Sequence, residues 1–192
     1  VSGNLIQSGG TMKINGGRLE VSGDYRIQTE NTDSGGTVTY SGSSGYLQMT
    51  NEADYVSVGG SFVTQSSYDH TSYLTAGIIE VKGDFIQKYN SGYSNSCYNF
   101  RATGTHKVIL SGSGVQTMSF EYPYSSLFNI LEIRHEPGIG INISILNART
   151  LITNGCILPE ITVGPANWTL NRDETVNGDL YVGANTIDLA GH

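Results

Sequence analysis

The sequence predicts an all-β protein of the parallel β-solenoid class, in which the chain winds through a stack of similar coils. The composition favours strands joined by polar turns, since 25 of the 192 residues are glycine and only 14% are charged. One short motif recurs along the chain, as expected when a structural unit is stacked repeatedly. Within one interval of that motif, three short runs alternate between apolar and polar residues, which is typical of strands with one buried face.

The recurring motif is Val-x-Gly-[Asp/Asn/Ser]-[Leu/Tyr/Phe]. Its five copies begin at Val1, Val21, Val58, Val81 and Val176. We interpret each copy as a strand end, a tight corner at which glycine supplies positive φ, and the start of the next strand. The polar residue after the glycine is expected to cap its own turn, with calcium binding the less favoured alternative. Four copies continue to a glutamine, and we expect these to stack as a hydrogen-bonded ladder of Gln7, Gln28, Gln65 and Gln87.

The intervals between the motif glycines define the coil. They are 20 residues from Gly3 to Gly23, 37 from Gly23 to Gly60 and 23 from Gly60 to Gly83. In the first coil the alternating runs are residues 5–7, 11–14 and 19–21, so we expect three short strands per coil. An antiparallel sandwich also has short strands, but it does not require one corner motif to recur at one coil length.

We expect one solenoid domain over residues 1–192. Regular repeats with long loops extend over residues 1–138, whereas residues 139–192 form divergent coils that keep only the motif copy at Gly178. Because the chain opens inside a repeat, we expect it to be a segment of a longer protein. Cys97 and Cys156 lack the spacing of a metal site, and we favour two buried free thiols over a disulfide.

Four long segments interrupt successive coils after the same strand. They are residues 29–46, 66–73, 88–98 and 121–126, and they contain nine of the 12 tyrosines. A solenoid stacks insertions that leave from one corner on one side of the molecule. The sequence therefore predicts that any ligand-binding surface lies on this side.

The tyrosines of these loops are the candidate binding residues. An aromatic ring offers an apolar face to a pyranose, while hydroxyls and amides bond to the sugar hydroxyls. We expect about half of the tyrosines to pack on the solenoid and the rest to face solvent. The candidate carbohydrate-binding set is Tyr68, Tyr73, Tyr93, Tyr98, Tyr122 and Tyr124, with Asp69 and Glu121 in the same loops.

The sequence argues against an enzyme. It lacks the nucleophile-elbow, dinucleotide-binding and zinc-protease motifs. Asp69 and Glu121 are two coils apart, about 10 Å, but any residues two coils apart share that separation. We therefore expect no catalytic residue, no metal ligand and no cofactor. An isoelectric point near 4.9 excludes a phosphate-tracking nucleic-acid binder, and no apolar run is long enough to span a membrane.

Residues 104–112 and 128–133, with the Val-x-Gly-Asp-[Tyr/Phe]-x-x-Gln units, resemble repeat regions of secreted bacterial surface proteins. They are also similar to the right-handed parallel β-helix carbohydrate-binding modules attached to xylanases. The resemblance extends over roughly residues 1–135 and implies a right-handed parallel β-helix. It further implies an extracellular or cell-surface location, a bacterial source, and a glycoside hydrolase domain in the same full-length chain.

Three functions stay open at this point. A non-catalytic module that binds xylan or another neutral plant cell-wall polysaccharide is favoured, because an acidic chain repels polyanionic glycans. The alternative is a structural or adhesive β-solenoid spacer of a bacterial surface protein. A β-helix polysaccharide lyase or glycoside hydrolase is the least favoured.

Overall fold

The computed structural model describes residues 1–123, 125–143, 146–163, 167–182 and 186–191. Strands predominate in this part of the chain: β1 (Leu5–Ile6), β2 (Thr11–Lys13), β3 (Arg18–Val21), β4 (Tyr25–Ile27), β5 (Thr29–Thr32), β6 (Val38–Ser41), β7 (Tyr46–Gln48), β8 (Tyr55–Val58), β9 (Phe62–Thr64), β10 (Ile78–Val81), β11 (Phe85–Gln87), β12 (Lys107–Leu110), β13 (Gln116–Phe120), β14 (Phe128–Ile133), β15 (Ile141–Ile143), β16 (Ala148–Thr153), β17 (Ile157–Val163), β18 (Asn167–Leu170), β19 (Thr175–Val182) and β20 (Ile187–Asp188). A short 3-10 helix occupies Ser94–Tyr98. None of the described residues form a helix long and apolar enough to cross a membrane.

Two long parallel sheets dominate the fold. One has the strand order β1-β4-β9-β11-β13-β15, and the other has the order β3-β8-β10-β12-β14-β16-β18-β20. The chain passes from the eight-stranded sheet to the six-stranded sheet after β3, β8, β10 and β12, and each return adds a neighbouring parallel strand. The prediction of an all-β parallel fold is confirmed, whereas a sandwich would pair these strands antiparallel.

A third set of parallel pairs joins the segments through which the chain runs from a strand of the six-stranded sheet to the next strand of the eight-stranded sheet. β2 pairs in parallel with β7, and isolated parallel bridges join Met49 to Leu74 and Arg101 to Leu127. The three runs predicted for the first coil correspond to β1, β2 and β3.

The core is formed by side chains that occupy the same register position in successive strands. In the six-stranded sheet one such row is Tyr25, Phe62, Phe85 and Met118, and in the eight-stranded sheet one is Val21, Val58, Val81, Leu110 and Ile133. All nine side chains are buried. The aromatic rings contact one another, with 5.3 Å between the ring centroids of Phe62 and Phe85. Vertical stacking of apolar side chains thus contributes to the hydrophobic core.

Three of the corner glycines are required by close packing and not, as predicted, by positive φ. Gly23, Gly60 and Gly83 lie outside the left-handed region. A Cβ atom on Gly83 would lie 2.5 Å from the carbonyl carbon of Gly60, because the corners stack directly on one another. The predicted positive φ occurs at Gly3, at 136°. Gly178 also has positive φ, but it lies inside β19 and not at a corner between two strands.

In the first four motif copies, the polar residue after the corner glycine caps the next coil, which corrects the prediction that Asp24 and Asp84 cap their own turns. The Asn4 side-chain oxygen accepts the backbone N–H of Asp24 at 2.9 Å. Asp24 accepts the N–H of Ser61 at 2.8 Å, and the Ser61 hydroxyl accepts the N–H of Asp84 at 3.0 Å. Asp84 in turn accepts the N–H of Thr117 at 2.8 Å. Parallel stacking places each N–H directly beside the preceding side chain, so the motif couples neighbouring coils.

The predicted glutamine ladder forms at one step only. Gln28 donates to the side-chain oxygen of Gln65 at 2.8 Å. These two residues lie five positions after their corner glycines, whereas Gln7 and Gln87 lie four positions after theirs. Gln87 therefore bonds to the carboxamide of Asn99 at 3.0 Å, and Gln7 accepts a buried tyrosine hydroxyl at 2.6 Å.

The two cysteines are free thiols. Cys156 is buried, as predicted. Cys97 is half-exposed, which corrects the expectation that both are buried. It lies in the 3-10 helix of a surface loop and not on an inward strand position.

Candidate functional site

The four tyrosine-rich segments emerge along one line of the molecule. They follow β4, β9, β11 and β13, which are consecutive neighbours in the six-stranded sheet. The residues that end these strands are in register with one another: Ile27, Thr64, Gln87 and Phe120. The loops therefore leave from the same corner, as predicted. We call the surface formed by the described residues of the segments 29–46, 66–73, 88–98 and 121–126 the loop face. Its first segment contains the antiparallel hairpin β5–β6.

One tyrosine cluster lies on the loops of the second and third coils. The Tyr46 ring centroid is 4.9 Å from that of Tyr68 and 4.6 Å from that of Tyr73. Tyr68 is exposed, whereas Tyr46 and Tyr73 are half-buried. The adjacent Tyr46 raises the pKa of Tyr73 above its ordinary value. Tyr73 thus contributes to loop packing, which corrects the prediction that it faces solvent.

A second pair joins the fourth and fifth coils. The rings of Tyr89 and Tyr122 stack with centroids 5.2 Å apart and an interplanar angle of 27°. The backbone N–H of Tyr89 donates to Glu121 at 2.8 Å, and that of Tyr122 donates to the side chain of Gln87 at 3.0 Å. Glu121 therefore holds two neighbouring loops together.

Two other candidate residues also have partners within the protein. The guanidinium of Arg101 lies 5.1 Å from the ring centroid of Tyr98, which is half-buried and not exposed as predicted. Asp69 accepts the backbone N–H of Thr71 at 2.7 Å and its hydroxyl at 2.5 Å. Asp69 thus stabilises the turn that follows it.

Tyr93 is the most exposed of the candidate tyrosines, with 56% of its surface accessible, compared with 44% for Tyr68 and 42% for Tyr122. Among the described residues, its ring contacts no other aromatic ring and no cation. Tyr124, the remaining candidate, lies outside the described residues. Tyr46 and Tyr89 were not predicted as site residues. They belong to the loop face because their rings contact tyrosines of neighbouring coils.

An open cleft of about 260 Å³ lies next to Tyr93. Its lining comes from four successive coils and consists of Ser8, Thr29, Gly42, Ser43, Ser44, Ser67, Asn90 and Tyr93. None of these side chains is charged. Of this set only Tyr93 was predicted as a site residue, because serines in glycine- and serine-rich loops have no distinctive spacing.

The outer face of the eight-stranded sheet is chemically different, because it carries charged side chains, several of which form ion pairs. Lys107 lies 3.0 Å and Arg134 lies 2.6 Å from the carboxylate of Glu132. Burial would raise the pKa of Glu132, but the hydrogen bonds and charges of these two cations outweigh burial and lower it. Glu80 accepts hydrogen bonds from the hydroxyls of Tyr55 and Ser111. These groups bond to one another, but a charged cleft of about 420 Å³ lined by Arg18, Glu20 and Lys82 also opens on this face.

Searches against family models, curated proteins and solved structures returned no match to this chain. Within the described ranges, no three histidine, cysteine, aspartate or glutamate side chains are grouped so that they could hold a metal ion.

Proposed function

We propose that this chain is a non-catalytic carbohydrate-binding module for a neutral plant cell-wall polysaccharide, with xylan as the first candidate. One observation carries the proposal: exposed tyrosine rings and uncharged hydroxyl and amide groups share one face of the molecule. Aromatic rings stack on the apolar faces of sugars, and hydroxyls and amides satisfy the sugar hydroxyls. Tyrosine is also ordered at low entropic cost, which suits it to binding loops.

The charge distribution supports a neutral ligand. The net charge of the chain is −7, so a polyanion such as pectate would be repelled at long range. The cleft beside Tyr93 has no charged lining residue. A neutral polysaccharide meets neither obstacle.

Asp69 and Glu121, two of the four carboxylates of the loop face, support a binding role over a catalytic one. A glycosidase needs two carboxyl groups that act on the scissile bond. Asp69 accepts two hydrogen bonds from Thr71, and Glu121 accepts the backbone N–H of Tyr89. Both groups are engaged in holding loops.

The fold and setting form part of the same proposal. We infer that the parallel sheets wind as a right-handed β-helix with three short strands per coil, supported by the third set of parallel pairs, which includes β2 and β7. The module would act outside the cell or at its surface, in a bacterium, joined covalently to a glycoside hydrolase domain. These features rest on the resemblance of the repeat motif.

A structural or adhesive spacer is the second candidate. It is favoured by the ring contacts of Tyr46 with Tyr68 and Tyr73, because such contacts also serve simply to pack long loops on a rigid stack. A spacer needs rigidity but no free polar groups at its surface.

Affinity electrophoresis tests the choice. The wild-type chain and a Tyr93→Ala, Tyr122→Ala double variant are run in gels that contain xylan, glucomannan, cellulose or pectin. We expect a neutral polysaccharide to retard the wild type and the double variant to migrate freely, with equal far-ultraviolet circular dichroism. Retention of both would move the site elsewhere on the molecule. Free migration of the wild type in every gel would favour the spacer.

A further inference from the structure

The cleft beside Tyr93 is built across the stack and not within one loop. The bridge between Ser43 and Ser66 and the pairing of Thr11 with Tyr46 fix the register of three coils. The segments that contain Ser43–Ser44 and Ser67 therefore lie side by side, and Ser8 of the first coil and Asn90 of the fourth coil line the same cleft. With about 4.8 Å between neighbouring strands, the lining extends roughly 14 Å along the stacking direction.

We propose that this cleft is the principal contact for a short stretch of neutral polysaccharide that runs along the stacking direction, with Tyr93 as its aromatic platform. The inference rests on the proposed function and deepens it, because it selects one part of the loop face. The cleft length of about 14 Å is comparable to that of a few linked pyranose units. The cleft would therefore bind a chain segment and not a single sugar.

The cleft presents polar groups that the protein leaves unused. The hydroxyls of Ser8, Ser44 and Ser67 and the carboxamide of Asn90 have no hydrogen-bond partner among the residues that the structure describes. Hydroxyls both donate and accept, and a carboxamide does the same through separate atoms. Such groups complement a polyhydroxylated ligand. An anion would need donors backed by positive charge, which the lining lacks.

Tyr93 differs from the other exposed tyrosines in what its ring contacts. Tyr122 is stacked on Tyr89, and Tyr68 packs against Tyr46, so each has already committed part of its ring to the protein. The Tyr93 ring has no such partner in the described part of the chain, and it lines the cleft. It is therefore the ring most available for a sugar face.

The hairpin and the loop of the fourth coil meet at the cleft. A Cβ atom on Gly42, at the base of the β5–β6 hairpin, would lie 2.2 Å from the side-chain carbon of Asn90. Glycine at this position therefore lets the Asn90 carboxamide approach the hairpin. This contact spans the intervening coil and places the Asn90 carboxamide beside the hairpin.

The test is nuclear magnetic resonance titration of the isotope-labelled chain with xylotriose, cellotriose and mannotriose. Two variants alter the cleft: Tyr93→Ala removes the ring, and Ser67→Leu occupies the lining. Two controls lie outside the candidate binding residues: Tyr55→Ala removes a ring from β8 of the eight-stranded sheet, and Ser34→Leu alters the exposed turn of the hairpin. Thermal unfolding midpoints establish that each variant is folded. If Tyr93→Ala does not fold, the affinity of Ser67→Leu decides whether the cleft binds the ligand.

We expect at least one trisaccharide to shift resonances of Ser44, Ser67, Asn90 and Tyr93. Each cleft variant should weaken that affinity by about tenfold or more, and each control by less than about threefold. Shifts centred on Tyr68 or Tyr122, with full affinity in both cleft variants, would overturn the cleft assignment and leave carbohydrate binding in place. No shift with any trisaccharide, together with no retardation by any polysaccharide, would overturn both proposals.

Discussion

Acidification should destabilise this protein through its buried histidines, and His106 provides the sharpest test. His106 is fully buried, and neither ring nitrogen has a hydrogen-bond partner among the described residues. Burial lowers its pKa from 6.5 to about 3. His70 is also fully buried, and burial lowers its pKa to about 4. Between the folded pKa values and 6.5, both rings are therefore neutral in the folded protein, whereas the same histidines bind protons in the unfolded chain.

The sign and size of the effect follow from linkage. The stabilisation is fully present above the unfolded pKa of 6.5 and is lost progressively as the pH falls, until the folded pKa is reached. At pH 5 each histidine should lower the free energy of unfolding by about 2 kcal/mol relative to pH 7, since one pKa unit corresponds to about 1.4 kcal/mol. His70 and His106 together should account for about 4 kcal/mol.

Urea denaturation followed by the fluorescence of the buried Trp168 measures this difference. His106→Leu should reduce the loss between pH 7 and pH 5 by about 2 kcal/mol. At pH 7 it should be at least as stable as the wild type, because it removes two unsatisfied polar atoms and no hydrogen bond. An unchanged loss between the two pH values in His106→Leu would refute the reasoning.

Three further predictions concern the fold. Gly83→Ala should lower the free energy of unfolding by about 1–3 kcal/mol by forcing stacked corners apart, while Gly114→Ala, where nothing lies within 4 Å of the new methyl group, should change it little in the same urea titrations. Asp54→Ala should cost about 3 kcal/mol or more, because this buried carboxylate accepts three backbone N–H groups; a thermal midpoint equal to that of the wild type would contradict this. In native buffer a thiol reagent should modify Cys97 quickly and Cys156 only upon unfolding, since burial raises the pKa of the Cys156 thiol; peptide mapping distinguishes the two sites.

The sequence predicted the parallel architecture and the common origin of the loops because both depend on a pattern that repeats along the chain. Val81 and Phe85 flank a corner glycine in the same way as Val58 and Phe62, and all four side chains are buried in register. Such periodicity can be recognised in the sequence without knowledge of how each coil folds in three dimensions.

The chemistry of the corners and loops was less predictable, because it depends on contacts between coils. Gly83 has its role through the neighbouring corner and not through its own φ. Tyr73, Tyr98 and Tyr93 all lie in polar loop sequences of similar composition. However, Tyr46 packs against Tyr73 and Arg101 packs against Tyr98, whereas the ring of Tyr93 has no such partner among the described residues. Ser67 becomes a candidate site residue only in the folded structure, in which four coils bring their polar groups to one cleft.

Calorimetric titration of the wild-type chain with xylohexaose, and with hexagalacturonate as the charged comparison, tests the central claim most directly. The account predicts saturable binding of the neutral oligosaccharide at one site per chain. Its affinity should be nearly unchanged between low and high salt, because no ion pair contributes. Hexagalacturonate should not bind. Binding of the charged oligosaccharide alone, or an affinity for xylohexaose that falls steeply with salt, would contradict a neutral-glycan site on the loop face.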